Sequence, residues 1–241
     1  MKRTERHHLK ENEIAEWVMG LREWFGANRN AATYGALVIG ALAIAVSGTV
    51  AWRQWSATRG SAMLAEAMAV AEARIVPPAA PASSAQAPSQ EPGTYPSERV
   101  RQEAALPRFM AVAEAYPSGQ AGIIARYRAG AALVALGRSD EAIRRFQEVA
   151  ERSSGVYRAM ARLGVADACL AAGQYDRAIA ALQEIVTQHP EDAPLDGVLM
   201  ELGRVYRLAG KVEDARKAFK RVADEFPQSP YAAQARRELD S

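Results

Sequence analysis

Residues 202–227 read LGRVYRLAGKVEDARKAFKRVADEFP. Gly210, in the middle, predicts the end of a first helix, because glycine adopts a left-handed backbone conformation at least cost. The small residues Gly203 and Ala215 predict the point at which two helices cross and their backbones pack closely. Pro227 predicts the end of a second helix, since proline disfavours helical backbone in the residue before it. The stretch therefore predicts a helical hairpin.

The same pattern occurs twice upstream. Gly137, Gly173 and Gly210 follow one another at intervals of 36 and 37 residues. Each unit has two small residues, one large apolar residue and one residue at its end. In chain order these are Gly130, Ala142, Phe146 and Ser154 in the first unit, and Ala166, Ala178, Leu182 and Pro190 in the second. A half unit precedes them and contains Ala105, Phe109, Val112 and Pro117. A period near this length predicts an all-α solenoid of stacked hairpins.

These positions and their spacing resemble the tetratricopeptide repeat. The resemblance implies a repeat domain over residues 98–241 that mediates protein–protein interaction. Its predicted units are about 98–117, 123–154, 159–190 and 196–227, with a capping helix at 230–239.

Upstream of the repeats, residues 30–52 read NAATYGALVIGALAIAVSGTVAW, without a charged residue. As a helix this stretch spans roughly 34 Å, enough for a hydrocarbon core of about 30 Å. Trp52 and Trp55 lie where aromatic rings favour the headgroup layer. A cleaved signal peptide is the competing interpretation, but its basic lead and apolar core are usually shorter. We therefore expect a single transmembrane helix.

The Lys and Arg distribution predicts the orientation of this helix. Six such residues occur in positions 1–30, against Arg53, Arg59 and then Arg74 after the apolar stretch. This bias predicts a cytoplasmic N-terminus and an extracytoplasmic repeat domain. The cytoplasmic segment, 1–29, is expected to contain a short amphipathic helix within residues 11–26.

Small residues at every fourth position of the span are candidate contacts with another helix: Ala32, Ala36 and Gly40. The alternative is an alanine-rich anchor in which small residues occur everywhere. Self-association through the span is left open by the sequence.

Two segments connect the span to the repeats. Residues 53–75 are expected to continue as a helix and to supply the first helix of the first repeat. Residues 76–97 are rich in Pro, Ala and Ser and cannot bury enough apolar surface to become ordered. This insertion is interpreted as a flexible spacer, with a polyproline ligand as the alternative.

Repeat solenoids bind partners on the concave face, which is formed by the first helix of each unit. The alignment places these candidate binding residues there: Ile124, Tyr127, Met160, Leu163, Asp167, Met200, Arg204 and Arg207. The face is thus expected to be apolar in the first two units and basic in the last. Arg204 and Arg207 would attract a carboxylate of an extended peptide or partner helix. Ordinary packing and solvated arginines are the alternative interpretation.

The composition argues against catalytic chemistry. One Cys, Cys169, and three His cannot form a typical structural zinc site. The sequence contains no phosphate-binding glycine loop and no nucleophile elbow. A formal net charge of +2 excludes the strong basic excess of a dedicated DNA-binding protein. We therefore expect no catalytic, metal or cofactor residues and no nucleic-acid partner.

The whole layout resembles the bacterial ancillary translocon-subunit family. The shared features are residues 11–26, a span that ends in Trp52 and Trp55, and repeats that follow closely. The resemblance implies a single-pass inner-membrane protein with periplasmic repeats that assists secretion or folding of exported proteins near the translocon. Its implied partners are the secretion channel and periplasmic chaperones. An envelope-assembly or cell-division adaptor and a membrane-bound enzyme are the alternatives.

Overall fold

The structure, a computed structural model, describes residues 29–77, 91–188 and 193–240. Within these ranges the chain forms nine helices and no sheet strand. The helices are α1 (Arg29–Ala71), α2 (Glu98–Ala115), α3 (Gln120–Ala135), α4 (Ser139–Arg152), α5 (Gly155–Ala171), α6 (Tyr175–Gln188), α7 (Leu195–Leu208), α8 (Val212–Glu225) and α9 (Ala232–Leu239). The predicted all-α fold is confirmed for this part of the chain.

The chain divides into two units, Met1–Trp55 and Ser56–Ser241. The described part of the first unit is the N-terminal portion of α1. Large apolar side chains on this portion are exposed, among them Ile44 at 75% and Trp52 at 66%. By length and composition, the stretch Thr33–Ala71 is a candidate membrane span, and an N-terminal signal sequence has the same properties.

The second unit is a stack of helical hairpins. From α2 to α9 each helix packs against the next one along the chain, and α3 also packs against α5. Hairpins α3–α4, α5–α6 and α7–α8 correspond to the three complete repeats of the sequence. The core between them consists of many alanines and of larger apolar side chains, among which are Phe109, Leu133, Phe146, Leu182, Ile185 and Phe219.

The C-terminal portion of α1 belongs to this second unit. Ala67 is fully buried, and Leu64 and Met68 pack against the repeat core. The helix ends at Ala71, earlier than the residue 75 expected from the sequence. The difference has a local cause, because the backbone leaves the helix to exchange hydrogen bonds with Tyr95. The N–H of Tyr95 donates to the carbonyl oxygen of Arg74, and the carbonyl oxygen of Tyr95 accepts from the N–H of Val76, both at 2.9 Å.

Several sequence predictions lie outside the described residues. They are the amphipathic helix within residues 11–26, most of the Pro-rich insertion (78–90), and Pro190 at the end of a unit. The domain boundaries and the role of 53–75 as the first helix of a repeat stay predictions.

Candidate functional site

The turn within each repeat hairpin fixes how its first helix is presented. Gly137, Gly173 and Gly210 have φ angles of 75°, 70° and 75°. At each turn the glycine N–H and the next N–H donate to carbonyl oxygens in the last turn of the first helix, as in Gly137 to Val134 and Arg138 to Leu133. This is the Schellman arrangement, and it confirms the prediction that the first helices end at left-handed glycines. The first helices α3, α5 and α7 therefore end in the same way.

Close approach between the first two repeats depends on the ring of Phe146. The ring lies where two glycines leave room for it: a Cβ atom at Gly130 or Gly164 would come within 2.8 Å or 2.7 Å of ring carbons. Tyr127 of α3 packs on the same ring, with centroids 5.3 Å apart and planes tilted by 57°. Phe146 thereby positions one of the candidate binding residues.

The exposed sides of α3, α5 and α7 form the candidate site, which we call the first-helix face. Its members within the described residues are Ile124, Tyr127, Met160, Leu163, Asp167, Glu201 and Arg204. Ile124, Tyr127 and Leu163 are half-buried, whereas Met160 and Asp167 are exposed. The face therefore retains accessible apolar surface in its first two units.

Met200 does not belong to this face. It is only 1% exposed and lies in a buried cluster with Phe219 and with Ala235 of α9. The expectation that Met200 contacts a ligand is therefore wrong, because the capping helix contributes to the core that encloses its side chain.

The two arginines of the last unit are already paired. Arg204 Nη1 lies 3.2 Å from Glu201 Oε2 on the same helix. Arg207 forms an ion pair with Glu238 of α9, and its guanidinium carbon lies 5.9 Å from the centroid of the Phe219 ring. Both cations therefore already have an acidic partner within the protein.

Asp167 places a negative charge at the centre of the first-helix face. Asp167 is exposed as a residue, but packing around its carboxyl group removes part of its hydration. This desolvation first, and the negative charge of Glu201 second, raise the pKa of Asp167. Burial first, and the charge of Asp167 second, raise the pKa of Tyr127. These effects connect α3, α5 and α7 electrostatically.

Sequence reasoning missed two charged residues that matter here. Glu201 was identifiable, since it precedes Arg204 by one helical turn, a spacing that brings opposite charges together. Arg126 is 5% exposed, and its guanidinium donates to the carbonyl oxygens of Ala113 at 2.8 Å and Pro117 at 3.3 Å. Because Arg126 joins α3 to the end of α2, we assign it to the scaffold rather than to the site.

The candidate helix contact in α1 lies in the first unit. Gly40 is exposed, and a Cβ atom there would meet no heavy atom within 4 Å. Ala32 and Ala36 belong to the same helix, but their side chains lie outside the described residues. Among the described residues, no group of three or more His, Cys, Asp or Glu is arranged to hold a metal ion.

Comparison with known proteins identifies the repeats. Models of the tetratricopeptide repeat family match residues 127–193 and 170–239. Residues 127–239 are tetratricopeptide repeats. This fold is typically a non-catalytic scaffold for protein–protein interaction. No curated protein matches the sequence significantly.

Two solved structures are similar to part of this chain. Nearly identical TPR-like repeats from Podosopora anserina are 19% identical, over 59% of this chain and 77% of that one, with a TM-score of 0.49. MamA from Desulfovibrio magneticus RS-1, from residue 41 to its end, is 20% identical, over 60% of this chain and 75% of that one, with a TM-score of 0.43.

Proposed function

We propose that this protein is a membrane-anchored scaffold that brings protein partners together in the bacterial cell envelope. The observation that carries the proposal is the joint presence of tetratricopeptide repeats over residues 127–239 and of an apolar helix near the N-terminus. The repeats supply a surface for proteins. The helix supplies a membrane tether, which raises the effective concentration of the repeats beside membrane partners.

The side chains of α1 support the tether. Large side chains of its apolar stretch are exposed by 60% or more, among them Ile39, Ile44 and Val46. No part of the most apolar segment of this helix is buried within the protein. Transferring such a surface from water to lipid is favourable by roughly 25 cal/mol per Å² of apolar area. The exposed rings of Trp52 and Trp55 follow the apolar stretch, at the depth where a headgroup layer accommodates them.

The proposed role is to assist secretion or folding of exported proteins near the translocon. It rests on the resemblance in layout to ancillary translocon subunits, with the N-terminus in the cytoplasm and the repeats in the periplasm. An adaptor in envelope assembly or cell division would share the tether and the repeats. The two roles differ in the proteins that contact the span.

Membrane anchoring is tested on the full chain carrying a C-terminal tag in a Gram-negative host. We expect the protein to sediment with membranes, to resist alkaline carbonate, and to keep residues 1–28 in its intact mass. Protease added to spheroplasts is expected to digest the repeats. A protein released into the periplasm without its first residues would instead be the product of a cleaved signal sequence, and would overturn the anchor.

The partner is tested by photocrosslinking from Gly40, where the structure leaves space for a larger side chain. Leu42, also exposed, points to nearly the opposite side of the helix and serves as the matched control position. Capture of secretion-channel subunits from Gly40 but not from Leu42 supports the translocon role. Capture of division or outer-membrane assembly proteins would replace it with the adaptor role.

A further inference from the structure

Asp167 lies in the middle of the first-helix face. Its carboxylate forms no hydrogen bond and no ion pair with any residue that the structure describes. The charged side chains of Glu201 and Arg204 on the same face pair with each other. Asp167 is therefore an unpaired carboxylate at the surface on which a repeat scaffold would hold its ligand.

The surroundings of Asp167 make it costly to leave unpaired. Packing reduces its hydration, and Glu201 adds a second negative charge within electrostatic reach. Arg204 occupies the equivalent position of the next repeat, yet it turns toward Glu201 on its own helix. A partly desolvated carboxylate beside a like charge gains more from a cation than a fully hydrated one does.

Apolar surface accompanies this carboxylate on the same helix. Leu163 and Met160 precede Asp167 by four and seven residues, so the three side chains share one face of α5. Met160 is 37% exposed and Leu163 is half-buried. A ligand for this surface would therefore combine one cationic group with neighbouring apolar groups.

We propose that the first-helix face binds a segment of a partner protein through a Lys or Arg side chain that pairs with Asp167, while flanking apolar side chains rest on Met160 and Leu163. This inference rests on the proposed scaffold function and specifies its ligand. It reverses the charge expected from the sequence, because the arginines that would have attracted a carboxylate are paired within the protein.

The test uses the full chain in lipid nanodiscs, with a random peptide library displayed on phage as the probe. Three proteins are compared: the unsubstituted chain, Asp167→Asn, and the matched control Asp224→Asn. Asp224 is an exposed carboxylate of α8, a second helix. Circular dichroism melting first establishes that all three fold, which is expected since both substituted side chains are exposed.

We expect the unsubstituted chain and Asp224→Asn to select peptides with Lys or Arg at one fixed position between apolar residues. Asp167→Asn should lose that fixed position. For a selected peptide, replacing the basic residue by norleucine should weaken binding to the unsubstituted chain by about tenfold, the scale of one charge-assisted hydrogen bond. The same replacement should leave binding to Asp167→Asn unchanged.

Selection of acidic peptides, of apolar peptides without a fixed basic residue, or of no peptide at all would overturn the inference. A basic preference that survives in Asp167→Asn would overturn it too. These outcomes are separate from failure of the scaffold proposal, which is judged by membrane anchoring and by crosslinking from Gly40.

Discussion

Glycine serves two separate purposes in the repeats. At Gly137 and its equivalents the backbone has a positive φ, which other L-residues adopt only with strain. At Gly122 and Gly203 the backbone is helical, and the missing side chain makes room for a neighbour. A Cβ atom at Gly122 would overlap the carbonyl oxygen of Tyr116, and one at Gly203 would overlap the ring of Phe219.

The substitution Gly122→Ala should therefore destabilise the protein severely. The obstacle is backbone: the new Cβ atom would lie 2.8 Å from the carbonyl carbon of Tyr116, which cannot rotate away as a flexible side chain would. We expect a loss of about 2–4 kcal/mol in the free energy of unfolding, the range for severe steric conflicts in a packed core. Urea denaturation followed by circular dichroism measures it.

Gly197→Ala is the matched control, because Gly197 is also the third residue of a first helix. A Cβ atom there would lie 3.5 Å from the Tyr231 ring, an ordinary contact. Alanine should stabilise this position by up to about 1 kcal/mol through its higher helix propensity. Equal losses for the two variants would contradict the proposed close approach of α3 to Tyr116.

Asp167 predicts a pH dependence with a definite sign. Its pKa is raised in the folded protein, so the folded state holds the proton more tightly than the unfolded state does. Stability associated with this group is therefore highest at low pH and is lost as pH rises from about 3.9, the unfolded value, through the folded pKa. Asp167→Asn should raise the melting temperature at neutral pH, and this gain should shrink toward pH 4.

Thermal melts of both proteins between about pH 4 and pH 7 measure this difference. Asp224→Asn controls for the chemistry of the substitution itself. A gain from Asp167→Asn that stays constant across this range, or a loss at neutral pH, would show that the carboxylate is not strained in the free protein. The same result would remove one reason for assigning it a cationic ligand.

The residues of the site show which parts of it the sequence could predict. The left-handed glycines and the apolar character of Leu163 follow from local spacing, and the structure has them as predicted. The pairing of Arg204 with Glu201 was also readable, since it is a contact within one helix. The burial of Met200 and the pairing of Arg207 with Glu238 were not, because both depend on where α9 packs. Local pattern therefore predicted the turns and the apolar positions but not the contacts that α9 makes.

At the scale of elements, three helices meet at one side chain. Phe146 extends from α4 into the space that Gly130 of α3 and Gly164 of α5 leave open. The ring is 2% exposed, so it cannot move outward without opening a cavity. Gly130 was identified by the repeat pattern, whereas Gly164 lies outside that pattern and becomes evident only from the packing.

This arrangement predicts an energetic coupling between α4 and α5. Gly164→Ala should cost about 1–3 kcal/mol, because its Cβ atom would lie 2.7 Å from two carbons of the Phe146 ring. Phe146→Leu alone should also destabilise, through lost packing. In the double variant the leucine removes the conflict, so the combined loss should fall short of the sum by about 0.5–2 kcal/mol.

Gly173→Ala provides the reference for this coupling. It should also destabilise, by roughly 1–2 kcal/mol, because its φ of 70° strains an L-residue. A Cβ atom there would contact nothing within 4 Å, so its effect and that of Phe146→Leu should add within about 0.5 kcal/mol. Chemical denaturation of the single and double variants measures the coupling free energy of each pair. Additivity at Gly164 would mean that the ring relaxes elsewhere.

At the scale of the whole molecule, the proposed function depends on two features of different origin. The proposed tether follows from composition alone, since a run of about 20 apolar residues is long enough to cross a bilayer whatever their order. The binding face follows from the stacking of hairpins, since its residues come from helices far apart in the sequence. A substitution in α1 should therefore change where the protein resides, whereas a substitution at Asp167 should change what it binds.

The Pro-rich insertion offers a last prediction at this scale. Its flanks are joined by the hydrogen bonds between Tyr95 and the backbone of Arg74 and Val76. If residues 78–90 are a spacer, a Gly-Ser linker of about five residues should replace them without loss of cooperative unfolding. Because shorter loops cost less entropy to close, the variant should gain about 0.6 kcal/mol for each halving of the loop length.

Urea denaturation of the linker variant and of Tyr95→Pro measures this prediction. Tyr95→Pro keeps the insertion but removes the N–H that donates to the oxygen of Arg74, so it should cost roughly 1 kcal/mol. If the linker variant is the more stable of the two, the hydrogen bonds of the flanks stabilise the fold and residues 78–90 do not. A linker variant that loses helical circular dichroism or cooperative melting would instead make the insertion part of the fold. Its interpretation as a spacer would then be wrong.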